Sequence, residues 1–207
     1  MNENNEFDNI ITESEETETI NTSSDKSNLF RKILKELLIY ALIIFVFAFV
    51  VPNYVVQLTK VKGYSMTNTI NNKDQLLVNK FIYNFKDPER FDIVVLYPKG
   101  RDVPEEYYVK RIIGLPGETV QIKDSLIYIN GEPISEDYGK ERYISYYGIA
   151  DVPFKLAEDE YFVMGDNRNG STDSRDPEIG PIKKENINGQ VFFRIFPFDN
   201  FGLMTDK

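Results

Sequence analysis

The segment YVKRIIGLPGE, from Tyr108 to Glu118, places a lysine inside an apolar run that favours a β-strand. The whole sequence contains no histidine and no cysteine. Catalysis by a histidine-based triad, by a thiol or by a Cys/His zinc site is therefore excluded. A base that works near neutral pH must then be a carboxylate, a tyrosine or a lysine with a lowered pKa.

Lys110 is the candidate base in this segment. Burial among apolar neighbours disfavours the charged ammonium and lowers the pKa of a lysine, so that its amine can accept a proton. The alternative is a lysine on a surface strand, whose aliphatic stem lies on apolar neighbours while its amine reaches water. Both interpretations are open for this segment taken alone.

The chain has 207 residues and a net charge of −9, but the charge is unevenly spread. Residues 1–30 hold eight acidic residues against Lys26 and are rich in Asn, Glu, Ser and Thr. Since this acidic tail has no apolar periodicity, we predict that it is disordered. The rest of the chain has no basic excess, so nucleic-acid binding is not expected.

An uncharged stretch from Leu37 to Val56 follows the acidic tail. Its twenty residues are enough for a helix to cross a bilayer, and they are apolar on every face. We therefore predict that residues 31–56 form an uncleaved transmembrane signal-anchor helix. A cleaved signal peptide is the alternative, which the long tail before the span and the bulky residues behind it disfavour.

Three basic residues precede the predicted span: Arg31, Lys32 and Lys35. By the positive-inside rule they keep the N-terminal tail in the cytoplasm. Residues 57–207 then lie outside, and the protein is expected to be a single-pass type II protein of the cell membrane, with the lipid bilayer as a partner. The absence of cysteine is compatible with an extracytoplasmic domain that has no disulfide bonds.

Residues 57–207 are predicted to be mainly β, forming an antiparallel, barrel-like sheet. Short runs rich in Val, Ile, Tyr and Phe recur between turn signals. These runs are Gln75–Tyr83, Asp92–Tyr97, Tyr107–Leu115, Thr119–Ile129, Glu160–Met164 and Gln190–Phe198. The Asn130-Gly131 pair indicates a tight turn.

Residues 134–157 are polar, rich in tyrosine and weakly patterned, which indicates an excursion from the sheet. The last run is assigned to the core, and contact of its phenylalanines with the bilayer is the alternative.

Two further segments contain polar residues suited to chemistry. Residues 61–70 include Ser65, a candidate nucleophile, because hydroxyl attack needs only an adjacent proton acceptor and an amide that holds the oxyanion. The alternative is a solvated turn serine. Residues 164–175 are dense in polar side chains, which indicates a loop held by its own hydrogen bonds and ion pairs. A calcium loop does not fit, because Arg168 stands where the ligand that follows Asp166 is needed. No metal or cofactor is expected.

Taken in order, these segments resemble the type I signal peptidases, the membrane-bound Ser/Lys serine proteases, in their Gram-positive bacterial branch. The resemblance covers roughly residues 31–200. Four stretches match the nucleophile box, a structural strand box, the base box and the last box of this family. They are Gly63–Met66, Asp92–Val95, Tyr108–Glu118 and Gly165–Arg175.

The resemblance implies a serine endopeptidase that cleaves N-terminal signal peptides from secreted precursor proteins. It implies Ser65 as the nucleophile, Lys110 as the general base and Ser171 as the residue that orients the lysine amine. The backbone N–H of Ser65 is implied as the oxyanion donor, while Gly63 lacks the hydroxyl that some members add. The ion pairs that hold Ser171 in place are implied to involve Asp166, Arg168, Asp173 and Arg175.

One position departs from the family pattern. The nucleophile box usually reads Ser-Met-x-Pro-Thr-Leu, and Asn68 stands at the position of the proline. A proline fixes φ at about −65° and stiffens the turn behind the serine. Asparagine holds a turn through its side chain, so we expect Asn68 to form this turn less rigidly.

Two other classes of protein stay open. A self-cleaving repressor-type Ser/Lys protease shares the fold and the dyad, but the anchor and the lack of a DNA-binding module oppose it. A non-cleaving, membrane-tethered signal-peptidase-like factor, for example in pilus assembly, is opposed by the intact pair of Ser65 and Lys110. The departure at Asn68 leaves this second alternative open.

Overall fold

The computed structural model describes residues 28–98, 107–139, 141 and 143–204, and the first 27 residues of the predicted tail lie outside them. An α-helix, α1, spans residues 28–45 and continues as a π-helical segment, Val46–Val55. Helix α1 therefore includes residues 28–30, which the sequence analysis assigned to the tail.

Within the described part of the chain, no helix combines the length and the apolar character needed to cross a membrane.

The chain from Pro52 onward forms its own compact unit, and this unit is mainly β, as predicted. Twelve strands succeed one another within its described residues. They are β1 Val56–Lys60, β2 Gln75–Asn79, β3 Ile93–Leu96, β4 Tyr108–Gly114, β5 Thr119–Lys123, β6 Leu126–Ile129, β7 Glu132–Pro133, β8 Phe154–Lys155, β9 Glu160–Met164, β10 Ile182–Lys183, β11 Ile187–Phe196 and β12 Gly202–Leu203. Short 3₁₀ segments lie at Ile82–Asn84, Gly148–Asp151, Arg168–Gly170, Lys184–Asn186 and Phe198–Asn200.

All pairs of neighbouring strands are antiparallel, and they form two sheets. The larger sheet has eight strands in the order β1-β2-β11-β3-β4-β9-β10, with β12 beside β11. The smaller sheet has four strands in the order β7-β6-β5-β8. Strand β4 lies between β3 and β9 inside the larger sheet, so the segment that contains Lys110 has a backbone partner on each side.

The predicted run Thr119–Ile129 is wrong as a single strand. The structure divides it into β5 and β6, which pair with each other through a turn at Asp124 and Ser125. Both turn residues have left-handed backbone angles, with φ of 51° and 62°. Two-residue hairpin turns need such angles, but this one contains no glycine or asparagine, so the usual signal was missing. The predicted turn at Asn130-Gly131 is confirmed and connects β6 to β7.

The core consists of three clusters of buried apolar side chains, and β4 contributes buried side chains to two of them, while its half-buried Val109 packs against the third. Ile113 packs in the cluster that also contains residues of β5 and β6, whereas Ile112 packs with residues of β3 and β9. Successive strand residues point to opposite faces, which explains the division. From Lys110 to Gly114 every residue of β4 is buried, so the lysine stands at the edge of an interior covered on both faces.

Candidate active site

The candidate nucleophile lies in a tight turn that follows β1. Met66 and Ile70 are buried in the third core cluster, which also contains residues of β2, β3 and β11, and they anchor the turn behind Ser65. The backbone N–H of Ile70 donates a hydrogen bond to the carbonyl oxygen of Met66 at 2.8 Å, and Thr69 donates to the same oxygen at 3.1 Å. Ser65 itself is half-buried. The apolar side chain next to the serine therefore fixes where its hydroxyl lies.

Lys110 meets this serine from β4. Its Nζ lies 2.7 Å from Ser65 Oγ, and the residue is only 3% exposed. The surface-strand interpretation of the lysine is therefore wrong. Burial lowers the pKa of Lys110 from 10.5 to about 8, with the Asp173 carboxylate opposing this shift, the Arg175 guanidinium adding to it and the Asp166 carboxylate opposing it.

Ser171 lies beside the nucleophile segment, but its contact with the lysine differs from the expectation. The Ser171 hydroxyl is buried and makes no hydrogen bond within the described residues. The structure therefore does not form the expected hydrogen bond from Ser171 to the amine of Lys110. A Cβ at Gly165 would overlap both Ser171 Oγ and the carbonyl oxygen of Ser65, so a glycine is required between them. The orienting role of Ser171 stays a prediction.

The four charged residues of the last loop all form ion pairs, and only one of these pairs lies within the loop. Arg175 Nε and Nη2 donate to the two carboxylate oxygens of Asp173, each at 2.8 Å. Asp173 Oδ2 also accepts a hydrogen bond from the backbone N–H of Gly165 at 3.0 Å. The pair is almost completely buried and closes the loop on itself.

Asp166 pairs with Arg111, the residue that follows the candidate base on β4. Arg111 Nε and Nη2 donate to the two oxygens of Asp166, each at 2.9 Å. The hydroxyl of Thr69, from the nucleophile turn, donates to Asp166 Oδ2 at 2.6 Å. Sequence reasoning missed both partners. The strand alternation after Lys110 is a signal for Arg111, because it directs this side chain to the opposite face of β4.

Arg168 pairs with Glu136, which lies in the excursion that the sequence predicted. Arg168 Nη2 donates to Glu136 Oε2 at 2.7 Å, and Nη1 contacts the other carboxylate oxygen. Arg168 Nε donates to the carbonyl oxygen of Gly165 at 3.0 Å. The arginine side chain is 2% exposed. No pattern in the sequence indicates that Glu136 contacts this loop.

The described residues between 134 and 147, which we call the covering segment, also contact two more buried arginines, Arg111 and Arg175. The ring of Tyr138 lies over the guanidinium of Arg111, with 3.7 Å between Cζ and the ring centre. The carbonyl oxygen of Tyr146 accepts a hydrogen bond from Arg175 Nη1 at 3.0 Å. The excursion is therefore a structural part of the site, which the sequence did not predict.

The pair of Ser65 and Lys110 opens into a cleft of about 320 Å³. One wall follows the chain from β1 into the nucleophile turn, and another follows the start of β4. Its lining includes Lys62, Gly63, Tyr64, Tyr108, Val109 and Thr172. A serine hydroxyl beside a buried amine with a lowered pKa, facing an open cleft, has the geometry of an activated nucleophile. Within the described residues there is no group of three or more acidic side chains placed to hold a metal ion.

Comparison with known proteins gives the family of this chain. The family model described as "Signal peptidase, peptidase S26" matches residues 34–196. "Signal peptidase I P" of Bacillus subtilis subsp. natto is 38% identical over 181 residues, which cover 84% of this chain and 92% of that protein. "Signal peptidase I T" of Bacillus subtilis (strain 168) is 34% identical over 195 residues, covering 91% of this chain and 97% of the relative. The crystal structure of a signal peptidase I from Enterococcus faecalis V583 is 35% identical and covers 51% of this chain and 97% of its own, with a TM-score of 0.39.

The fold and the site thus define a serine endopeptidase, and the family match covers most of the chain. The chain belongs to the signal peptidase family, peptidase S26. Its function is the reaction of this family, the cleavage of signal peptides from precursor proteins, as the resemblance implied. The match favours this function over the repressor-type protease and over the non-cleaving assembly factor.

Removal of Glu136 tests the contribution of the covering segment. Glu136→Ala leaves the Arg168 guanidinium buried without its counter-ion, and breaking a buried pair in this way costs about 3 kcal/mol. Urea unfolding of the purified protein should show a loss of this size. Glu89→Ala is the matched control, because Glu89 pairs with Lys86 at the surface, and its change should stay within about 0.5 kcal/mol. Equal losses in the two variants would contradict the buried role of Glu136.

The backbone conformation at Asn68 differs from the expectation that asparagine forms the same turn as proline, only less rigidly. Its φ is +105°, an angle that the ring of proline forbids and that glycine adopts freely. The asparagine amide also contacts the carbonyl oxygen of Tyr138 at 3.5 Å. The backbone at this position is therefore different from the one that a proline would impose.

Substitution at Asn68 tests this conformation. Asn68→Pro should destabilise the protein by about 1–3 kcal/mol, because the new residue cannot adopt the native φ. Asn68→Gly should change the free energy of unfolding by less than about 1 kcal/mol. Chemical denaturation of both variants measures the difference. A proline variant as stable as the native protein would show that the turn does not have this φ.

Proposed function

We propose that Ser65 is the nucleophile of this signal peptidase and Lys110 its general base. The observation that carries the proposal is the distance of 2.7 Å between Lys110 Nζ and Ser65 Oγ. The lysine is 3% exposed, and burial lowers its pKa to about 8. At pH 7 a pKa of 8 leaves roughly 9% of the amine neutral, about 300 times more than a pKa of 10.5 would leave.

The reaction then follows from these two groups. The neutral amine of Lys110 takes the hydroxyl proton of Ser65 while Oγ forms a bond to the scissile carbonyl carbon. The resulting ammonium gives this proton to the leaving amine as the peptide C–N bond breaks, and an ester with Ser65 remains. The amine, neutral again, takes a proton from water while the water oxygen bonds to the ester carbon. The ammonium then gives this proton to Ser65 Oγ as the ester C–O bond breaks, which releases the new carboxyl terminus and restores the dyad. No other base is required.

The backbone N–H of Ser65 is proposed as the oxyanion donor. It donates no hydrogen bond to any acceptor within the described residues, so it is free to bind a developing negative charge. Gly63 has no hydroxyl that would add a second donor. Ser171 is proposed to orient the lysine amine, and its position beside Ser65, with only Gly165 between them, supports this role. The ion pairs of Asp166, Arg168, Asp173 and Arg175 are proposed to hold Ser171 and the dyad in place.

The substrate is proposed to bind as an extended strand along the cleft wall. The chain between β1 and Ser65 and the first residues of β4 line this cleft. Extended peptides bind such edges through main-chain hydrogen bonds, while pockets at alternate positions select side chains. We expect selection of small, Ala-like side chains next to the cut.

The N-terminal helix is proposed as a membrane anchor of type II orientation. The sequence from Leu37 to Val56 carries no charge, and its large apolar side chains from Leu37 to Phe49 are mostly exposed. Three basic residues at the start of helix α1 support a cytoplasmic N-terminus. The lipid bilayer is then a partner, residues 1–30 are a cytoplasmic tail, and residues 57–207 form an extracytoplasmic protease domain. The acidic net charge supports no nucleic-acid partner.

Variants of the dyad test the proposed mechanism. Ser65→Ala and Lys110→Ala should abolish precursor cleavage while the far-UV circular dichroism stays that of the native fold. Lys110→Arg should fail as well, because a guanidinium stays charged at every working pH. The native enzyme should gain activity about tenfold per pH unit below pH 8 and level off above it, since the neutral amine is the active form. Activity of the Lys110→Arg variant, or a rate that falls from pH 6 to 8, would contradict the proposal that Lys110 is the general base.

Protease protection tests the proposed topology. With an epitope tag at each end, protease added outside intact cells should digest the chain after about residue 57 and spare the N-terminal tag. Cells opened with detergent serve as the control, in which both tags should be lost. Loss of the N-terminal tag in intact cells, with protection of the C-terminal tag, would show the opposite orientation.

A further inference from the structure

Asn167 contacts both backbone carbonyl groups that flank the nucleophile. Its side-chain Nδ2 donates a hydrogen bond to the carbonyl oxygen of Tyr64 at 3.0 Å. Its backbone N–H donates to the carbonyl oxygen of Ser65, also at 3.0 Å. The residue is 8% exposed, so both bonds are shielded from competing water. Asn167 therefore holds the peptide units on either side of the Ser65 Cα atom.

The bond from Asn167 to the carbonyl oxygen of Tyr64 fixes the direction of the Ser65 N–H. The carbonyl of Tyr64 and the N–H of Ser65 belong to the same planar peptide unit, and in a trans unit they point in opposite directions. The only cis peptide bond within the described residues lies at Phe196-Pro197. Because Asn167 holds the carbonyl on one side, the Ser65 N–H points to the other side. That N–H has no acceptor within the described residues.

Both the backbone and the side chain of Asn167 are held in position. The backbone N–H of Gly170 donates to the carbonyl oxygen of Asn167 at 3.0 Å. A Cβ at Gly170 would lie 2.6 Å from Asn167 Nδ2, so the amide packs directly on the glycine backbone. Tyr64 accepts one further hydrogen bond, from the backbone N–H of Thr67 at 3.1 Å. The Thr67 bond closes the turn from within, whereas the Asn167 bond comes from the last loop, 103 residues away in the sequence.

We infer that Asn167 is a positioning residue that aims the Ser65 N–H at the oxyanion of the tetrahedral intermediate. The inference rests on the proposed function, in which this N–H is the oxyanion donor. Preorganised donors matter because they need no reorientation when the charge develops. The amide of Asn167 does not touch the substrate. Its effect is therefore confined to the step in which the negative charge appears on the carbonyl oxygen.

Asn167→Ala in the full-length enzyme tests this role. Removing one oxyanion donor costs about 10²–10³ in kcat, and a donor that is only misdirected should cost less, roughly 10–100-fold. The KM for a soluble signal-peptide substrate should stay within about twofold. A peptide aldehyde, which forms a tetrahedral adduct with Ser65, should lose affinity by about the same factor as kcat. Asn167→Leu, similar in shape but without a donor, should give the same result if the alanine variant folds poorly.

Asn169→Ala is the matched control. Asn169 lies in the 3₁₀ turn that follows Asn167, and its side chain bonds to the covering segment. It donates to the carbonyl oxygen of Tyr143 at 3.1 Å and accepts hydrogen bonds from the backbone N–H and the hydroxyl of Ser145. It should keep kcat within about threefold. The midpoint of the pH–rate profile should not move in the Asn167 variants, because Lys110 keeps its surroundings.

Three results would overturn the inference: an equal loss in the Asn169 variant, a rise in KM without a fall in kcat, or a shifted pH midpoint with unchanged aldehyde affinity. Failure of the proposed function would look different. Ser65→Ala would then still cleave the precursor, and the aldehyde would bind that variant as well as the native enzyme.

Discussion

One buried carboxylate connects the three parts of the chain that form the site. Asp166 belongs to the last loop. Its carboxylate accepts hydrogen bonds from Nε and Nη2 of Arg111 and from the hydroxyl of Thr69. Arg111 directly follows Lys110, and Thr69 lies four residues after Ser65. A bidentate ion pair with a fixed planar geometry therefore helps to hold the segment of Lys110 beside the segment of Ser65. A lysine and a serine on separate flexible segments would not stay at 2.7 Å without such a connection.

The same loop makes the site polar inside an otherwise apolar fold. Arg111, Arg168 and Arg175 are among the largest fully buried side chains, and each has its own carboxylate. Buried pairs add little net stability, because the loss of hydration offsets most of the attraction. Their benefit here is geometric, since a guanidinium without its partner would carry a large penalty. Competing loop conformations that separate these charges are thereby disfavoured.

The sequence indicated the residues of the proposed dyad more readily than the side chains that surround them. The apolar run around Lys110 left its burial open, and a single serine carries little signal, so both residues were singled out by the order of the family motifs behind the predicted span. The mainly β fold followed from runs of β-prone residues, although the hairpin at Asp124 and Ser125 was missed for lack of a glycine. Partners distant in sequence gave no local signal. Glu136 lies 32 residues from Arg168, and Arg111 lies 55 residues from Asp166.

The covering segment has a consequence for when the enzyme becomes active. It lies between strands of the smaller sheet, yet it supplies the counter-ion of Arg168 and covers Arg111 with an aromatic ring. Contacts between residues far apart in sequence require the closure of a long loop before they form, which slows folding. A nascent or partly folded chain therefore carries both Ser65 and Lys110 without the structure that aligns them. The proposed active site is in this sense complete only when both sheets and the covering segment are in place.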